Sequence, residues 1–114
     1  MSLVIYRSKS KVTTTKLVDA LKHLHDTKLA NVVPTLVLGD FNINLLEDTS
    51  EKKALSKYLI EEKGYTQLMT QFTTDYRTLI DHIYTNVPHL VTSSGVLESY
   101  FSDHKPIFVS LTSN

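Results

Sequence analysis

The chain has 114 residues, 12 basic and 12 acidic side chains for a formal net charge of zero, 41% hydrophobic residues and no cysteine. That length fits a single domain over residues 1–114 with a packed core, and the charge balance argues against a protein that coats nucleic acid through bulk charge, while leaving room for a nucleic-acid enzyme. Disulfides, thiolate zinc sites and cysteine nucleophiles are excluded, no apolar stretch is long enough for a membrane span, and the opening Met1-Ser2-Leu3-Val4-Ile5-Tyr6-Arg7 is too short for a signal peptide, so an intracellular location, nuclear or cytoplasmic, is expected.

Leu3-Val4-Ile5-Tyr6 is rich in strand formers and is predicted as the first strand. A polar, basic stretch with Lys9, Lys11 and Lys16 follows, read as a solvated loop. Leu17, Ala20, Leu21 and Leu24 fall at helical spacing and predict an amphipathic helix capped from the Thr13–Thr15 run. Beyond Pro34, Leu36-Val37-Leu38 is a short continuous apolar run, as expected for a strand buried on both faces. A second helix is signposted by Asp48 with Glu51, a capping-box pattern, by Leu55, Tyr58, Leu59 and Glu62 on one side, and by Gly64 as its stop. Strand-like pieces then come at 65–69, 79–84, 96–100 and 107–111. The pattern β-α-β-α followed by strands predicts an α/β fold, a mixed sheet with two helices packed on one face.

Three polar words sit at the ends of apolar runs. In Gly39-Asp40-Phe41-Asn42, the acid and the amide are two apart and point the same way from a strand end, with Phe41 directed into the core. In Ile80-Asp81-His82-Ile83, an acid among apolar neighbours costs desolvation energy unless paired, and a histidine elsewhere in the chain is a suitable partner. In Ser102-Asp103-His104, before Lys105-Pro106, the two polar side chains converge only if the backbone turns. Each word alone reads as an ordinary turn, loop or solvated strand edge. Together they gather acids, an amide and an imidazole along one rim of a sheet, a donor set suited to a hard cation and a phosphate.

These words, with Tyr6-Arg7 before them and Lys105-Pro106-Ile107 after them, resemble the endonuclease/exonuclease/phosphatase superfamily of DNase I-like enzymes, in family order. Leu79-Ile80-Asp81-His82-Ile83-Tyr84-Thr85-Asn86 and Gly95-Val96-Leu97-Glu98-Ser99 are most similar to the endonuclease domains of mobile elements such as non-LTR retrotransposons. The resemblance implies half of a DNase I-like four-layer sandwich and Mg²⁺-dependent hydrolysis of nucleic acid, DNA by preference, with Mn²⁺ as the alternate ion. It implies that Asp40 activates the attacking water, Asn42 bonds the scissile phosphate, Asp81 holds the imidazole of His104, His104 contacts the phosphate, Asp103 serves the metal and Tyr6 is the active-site tyrosine. The family often carries prolines where Ser8-Lys9-Ser10 stand. His82 occupies a position usually held by a bulky residue and is expected to face away from Asp81. His23, His25 and His89 match nothing and are expected at the surface.

The same resemblance implies a metal-binding asparagine and glutamate upstream of the tyrosine strand, and nothing before Leu3 supplies them. Glu47, Asp48, Glu51, Glu61 and Glu62 belong to the second helix or the loop before it. The expectation is therefore the C-terminal half of a catalytic domain, with an inactive pseudo-nuclease that binds nucleic acid or a protein as the alternative. Such a half is expected to expose the apolar inner face of its sheet, and so to self-associate or to pair with an N-terminal half.

Overall fold

The computed structural model describes residues 2–6 as backbone, and residues 13–27, 34–99 and 102–112 in full. Arg7, Lys9, Lys11 and Tyr100 lie outside the described residues. Strand β1 (Ser2–Tyr6) pairs in parallel with β2 (Leu36–Asp40), and β2 pairs antiparallel with β4 (Asp81–Thr85). The short β3 (Thr66–Gln67) completes a mixed four-stranded sheet of order β1-β2-β4-β3. The strand carrying Asp81 is therefore central, and the reading of Asp81 as a solvated edge residue does not apply. The helical crossover between β1 and β2 is what a parallel pair demands.

The helices α1 (Thr14–Thr27) and α2 (Ser50–Ser56, continuing as π-helical turns over Lys57–Glu62) contribute to one core. In α1 the buried residues are Leu17, Leu21 and His25. Ala20 is exposed and Leu24 half-buried, so the inward stripe runs closer to a strict i, i+4, i+8 line than the sequence spacing suggested. The expectation that His25 is a surface residue is overturned. Its Nδ1 lies 2.8 Å from Leu21 O and 2.9 Å from Tyr58 Oη, and its Nε2 3.0 Å from Tyr65 Oη, so a carbonyl and two tyrosines provide the polar partners that let an imidazole enter the core. His23 and His89 are exposed as expected. The second helix starts one residue later than Asp48 implied: Thr49 is the N-cap, its Oγ1 accepting from the Lys52 backbone N–H at 3.1 Å. Gly64 ends the helix at φ 74°, a left-handed turn that glycine adopts without strain. Its N–H reaches Ile60 O at 3.1 Å and the Tyr65 N–H reaches Leu59 O at 2.9 Å, which satisfies the last carbonyls.

Alternation along the strands divides the molecule. Val37 and Tyr84, cross-strand partners, join Leu17, Leu21, Leu55, Tyr58 and Leu59 on the helix side. Leu38 and Ile83, the next pair, join Leu79 and Met69 on the opposite side. There a hairpin of β5 (Val91–Val96) and β6 (Ile107–Leu111) lays Ile107 and Val109 against them. The strand expected over 96–100 lies earlier, at 91–96. The bare apolar inner face expected from the sequence is not found among the described residues, because this hairpin covers its centre: Ile83 and Leu79 are buried. His82 lies on the helix side, opposite to Asp81 as expected, with its ring stacked on Phe41 at a centroid distance of 4.6 Å. Its Nε2–H donates to Ile43 O at 2.8 Å and Tyr84 Oη donates to its Nδ1 at 2.9 Å, so both nitrogens of a neutral ring are satisfied in the core.

Replacing His82 with leucine strands the Ile43 carbonyl and the Tyr84 hydroxyl in the core. A loss of about 1–3 kcal/mol is expected, read from urea unfolding followed by circular dichroism. An unchanged midpoint would reject this role. Burial also raises the phenols: Tyr58 rises to about 12, through burial and then the charges of Asp26, Tyr65 and Glu62, and Tyr65 and Tyr84 rise through burial. The unfolded chain ionises near the ordinary value of about 10. Stability from these neutral phenols is thus complete below about pH 10 and falls as pH climbs through the raised folded values. Urea midpoints should hold from pH 8 to 9.5 and drop by pH 11, and Tyr58→Phe should make that drop shallower.

Candidate functional site

At one end of the mixed sheet, β2 finishes where β4 begins. The register sets Asp40 directly opposite Asp81, and Tyr6 opposite Asp40 on the other side. By the alternation described above, both carboxylates point to the hairpin side. Gly39 precedes them at φ 140°, a backbone region that side chains rarely adopt, which accounts for a glycine before the acid. Asp81 is 9% exposed, an acid that needs a partner. His104 supplies it, with Nδ1 2.9 Å from Asp81 Oδ2, and its Nε2 lies 3.9 Å from Asp40 Oδ2. A carboxylate on Nδ1 makes that nitrogen the proton carrier and leaves the neutral ring's lone pair on Nε2. The gap of 3.9 Å exceeds a direct hydrogen bond but admits one oxygen atom bonded to both groups.

The segment before β4 holds this arrangement. Thr73 is buried, and its Oγ1 accepts from the N–H groups of Ile80 and Asp81 at 3.0 and 3.1 Å. Its carbonyl accepts from the Lys105 N–H at 2.8 Å, and Thr74 forms a β-bridge with His104. One threonine pair thereby ties the strand of Asp81 to the strand of His104. On the other side, Asn44 Oδ1 accepts from the Leu79 N–H at 2.9 Å and fixes the loop after Asp40 against β4's approach.

Of the residues expected at the site, Asp40, Asp81 and His104 come together. Asn42 is tied to Asp40 through its backbone. Its φ of 52° is left-handed, and its N–H bonds Asp40 Oδ1 at 2.9 Å, an Asx turn that folds the chain back on the acid. Its side chain lines a cavity of about 250 Å³ with Asn44, Thr49 and Thr78 among its neighbours. Tyr6 is placed by register only, its side chain being outside the described residues. Asp103 is exposed, and its Oδ2 accepts from Tyr76 Oη at 3.3 Å. The carboxylate is not among the ligand atoms that cluster with Asp40 and His104. Thr73, Thr74 and Tyr76 carry little signal in the sequence. The pairing of two threonines before an Asp-Tyr-Arg turn was their only local signal.

Asp40, Asp81 and His104 each offer one ligand atom, all within 4.8 Å of one another. Two carboxylates and an imidazole this close together are a donor set able to hold a divalent cation.

Residues 8–104 match the Endonuclease/Exonuclease/phosphatase family, a span that holds every expected site residue except Tyr6. A solved structure, the crystal structure of a functionally unknown conserved protein from Enterococcus faecalis V583, aligns with a TM-score of 0.63 at 18% identity. The alignment covers 99% of this chain and 50% of that one, so this chain spans about half its length. At that identity the likeness concerns the fold. Among curated proteins none matches. With its mixed sheet, two helices and antiparallel hairpin compatible with a fragment of a DNase I-like fold, the chain belongs to the endonuclease/exonuclease/phosphatase family.

Proposed function

We propose that this site serves divalent-metal-dependent hydrolysis of phosphodiesters in nucleic acid. The observation that carries the reading is the imidazole of His104, fixed by Asp81 on Nδ1 at 2.9 Å and presenting Nε2 toward Asp40 at 3.9 Å. In hydrolysis a water oxygen forms a bond to phosphorus while the bond to the leaving oxygen breaks. Asp40 takes the water's proton, and the leaving oxygen gains one from solvent. Asn42 donates to a non-bridging oxygen, and the imidazolium form of His104 does so through its Nε2–H. Asp81 keeps the ring's orientation and its Nδ1–H fixed through the reaction, which is the part a buried acid plays beside a working imidazole. The family usually depends on a divalent metal, and the ion would be held chiefly by Asp40, where it supplies positive charge to the phosphate. Mg²⁺ is the proposed ion and Mn²⁺ its substitute. Asp103, bonded to Tyr76, stands at the rim.

DNA is the proposed substrate, on the likeness of the strings around Asp81 and Gly95 to mobile-element endonucleases, and a nuclear or cytoplasmic location follows from that choice. Among the described residues no helix is long and apolar enough to cross a membrane.

Nicking of supercoiled plasmid in Mg²⁺ tests the reading. Asp40→Ala, His104→Ala and Asp81→Asn are each expected to lower the rate by about 10²- to 10⁴-fold, and chelation of the metal to abolish it. Cleavage that survives both alanine substitutions would belong to a contaminant. An inactive wild-type chain that still binds DNA would support the pseudo-nuclease instead.

A further inference from the structure

One exposed feature next to His104 has no part in the fold. Tyr76 is 73% exposed, on a turn that starts at Thr74, the residue bridged to His104. An isolated exposed aromatic is ordinary. This one is held in place. Thr74 Oγ1 accepts from the N–H groups of Tyr76 and Thr78 at 3.2 and 3.3 Å and lies 2.6 Å from Thr78 Oγ1. The Asp75 N–H donates to Asp103 O at 2.9 Å, and Tyr76 Oη donates to Asp103 Oδ2 at 3.3 Å. Arg77, next in line, is forced to φ 60°, a left-handed conformation uncommon for a residue with a side chain. The turn thus spends backbone strain and several hydrogen bonds to hold an aromatic ring in solvent, its hydroxyl tied to the residue beside the imidazole.

From this we infer that Tyr76 is a stacking platform for an unpaired base flanking the scissile phosphate. The inference rests on the phosphodiesterase reading for the phosphate and narrows its substrate to single-stranded or locally unpaired nucleic acid. A tyrosine face accepts any base, and pre-ordering the ring lowers the entropy cost of binding. The local charges carry one more acid than base: Arg77 and Lys105 stand against Asp75, Asp103 and Glu98, and Lys105 Nζ is 3.3 Å from Glu98 Oε1. Attraction to a long phosphate backbone is therefore small, and the ring is the feature that grips the nucleotide.

The 114-residue chain carrying His104→Ala, which keeps nucleic acid intact, is titrated with a single-stranded oligonucleotide containing 2-aminopurine, whose fluorescence is quenched by stacking. Saturable, quenched binding is expected. Adding Tyr76→Ala should weaken it roughly 5- to 100-fold, and Tyr76→Phe should leave it within about twofold, because stacking needs the ring and not the hydroxyl. The same oligonucleotide in duplex form should bind more weakly. No loss with Tyr76→Ala, equal losses with alanine and phenylalanine, or no binding of the single strand would each overturn the inference. Hydrolysis by the wild-type chain is measured in parallel in Mg²⁺ and Mn²⁺. Binding that depends on the Tyr76 ring without any hydrolysis keeps the platform and removes the catalytic reading. Hydrolysis indifferent to Tyr76→Ala does the reverse.

Discussion

The antiparallel register of β2 on β4 places Asp40 directly across from Asp81, and the rest of the site is arranged around that opposition. Like charges facing one another on adjacent strands repel, and burial of one of them sharpens the cost. An imidazole from a distant segment resolves it, 2.9 Å from one carboxylate and 3.9 Å from the other. In turn the imidazole needs a fixed backbone, which the bridge to Thr74 and the Lys105–Thr73 hydrogen bond supply. Thr73 also bonds the Asp81 N–H, so the acid and its histidine are aligned by the same residue.

Alternation lets β4 serve two purposes. Asp81 faces the site, and its neighbour His82 faces the helices, stacked on Phe41 and bonded to the carbonyl of Ile43. Because Phe41 directly follows Asp40, the stacking that fills the core also fixes the residue next to the proposed base. Asn42 and Ile43 continue that short loop, so their backbone positions are tied to a buried ring rather than left to the loop itself. The core is polar at a second point as well, where His25 lies between Tyr58 and Tyr65. In both places a backbone carbonyl and a tyrosine hydroxyl together allow an imidazole to be buried.

Much of this was legible in the sequence. Short apolar runs gave β1, β2 and β6, and helical spacing with Gly64 gave both helices. Asp81 advertised itself as an acid needing a histidine, because an unpaired carboxylate does not persist between isoleucines. What escaped was set by partners far along the chain. His25 reads as a polar residue on a helix until Tyr58 and Tyr65 are in place. Tyr65 belongs to no helix pattern, and its separation from His25 is 40 residues. The hairpin over the inner face was hidden because β5, with Thr92, Ser93, Ser94 and Gly95, carries little apolar signal of its own. Its pairing with β6 decides the matter.

The chain bends at Asp103, and the bridge to Thr74 fixes the backbone of His104 just after it. Ile107 and Val109 then seat the following strand against the cluster of Met69, Leu79 and Ile83. With the imidazole directed at Asp81, the preceding acid is turned outward to Tyr76. The hydrophobic docking of β6 therefore does more than cover the sheet. It seats the segment that sets His104 against Asp81 and joins Asp103 to the aromatic turn at the rim.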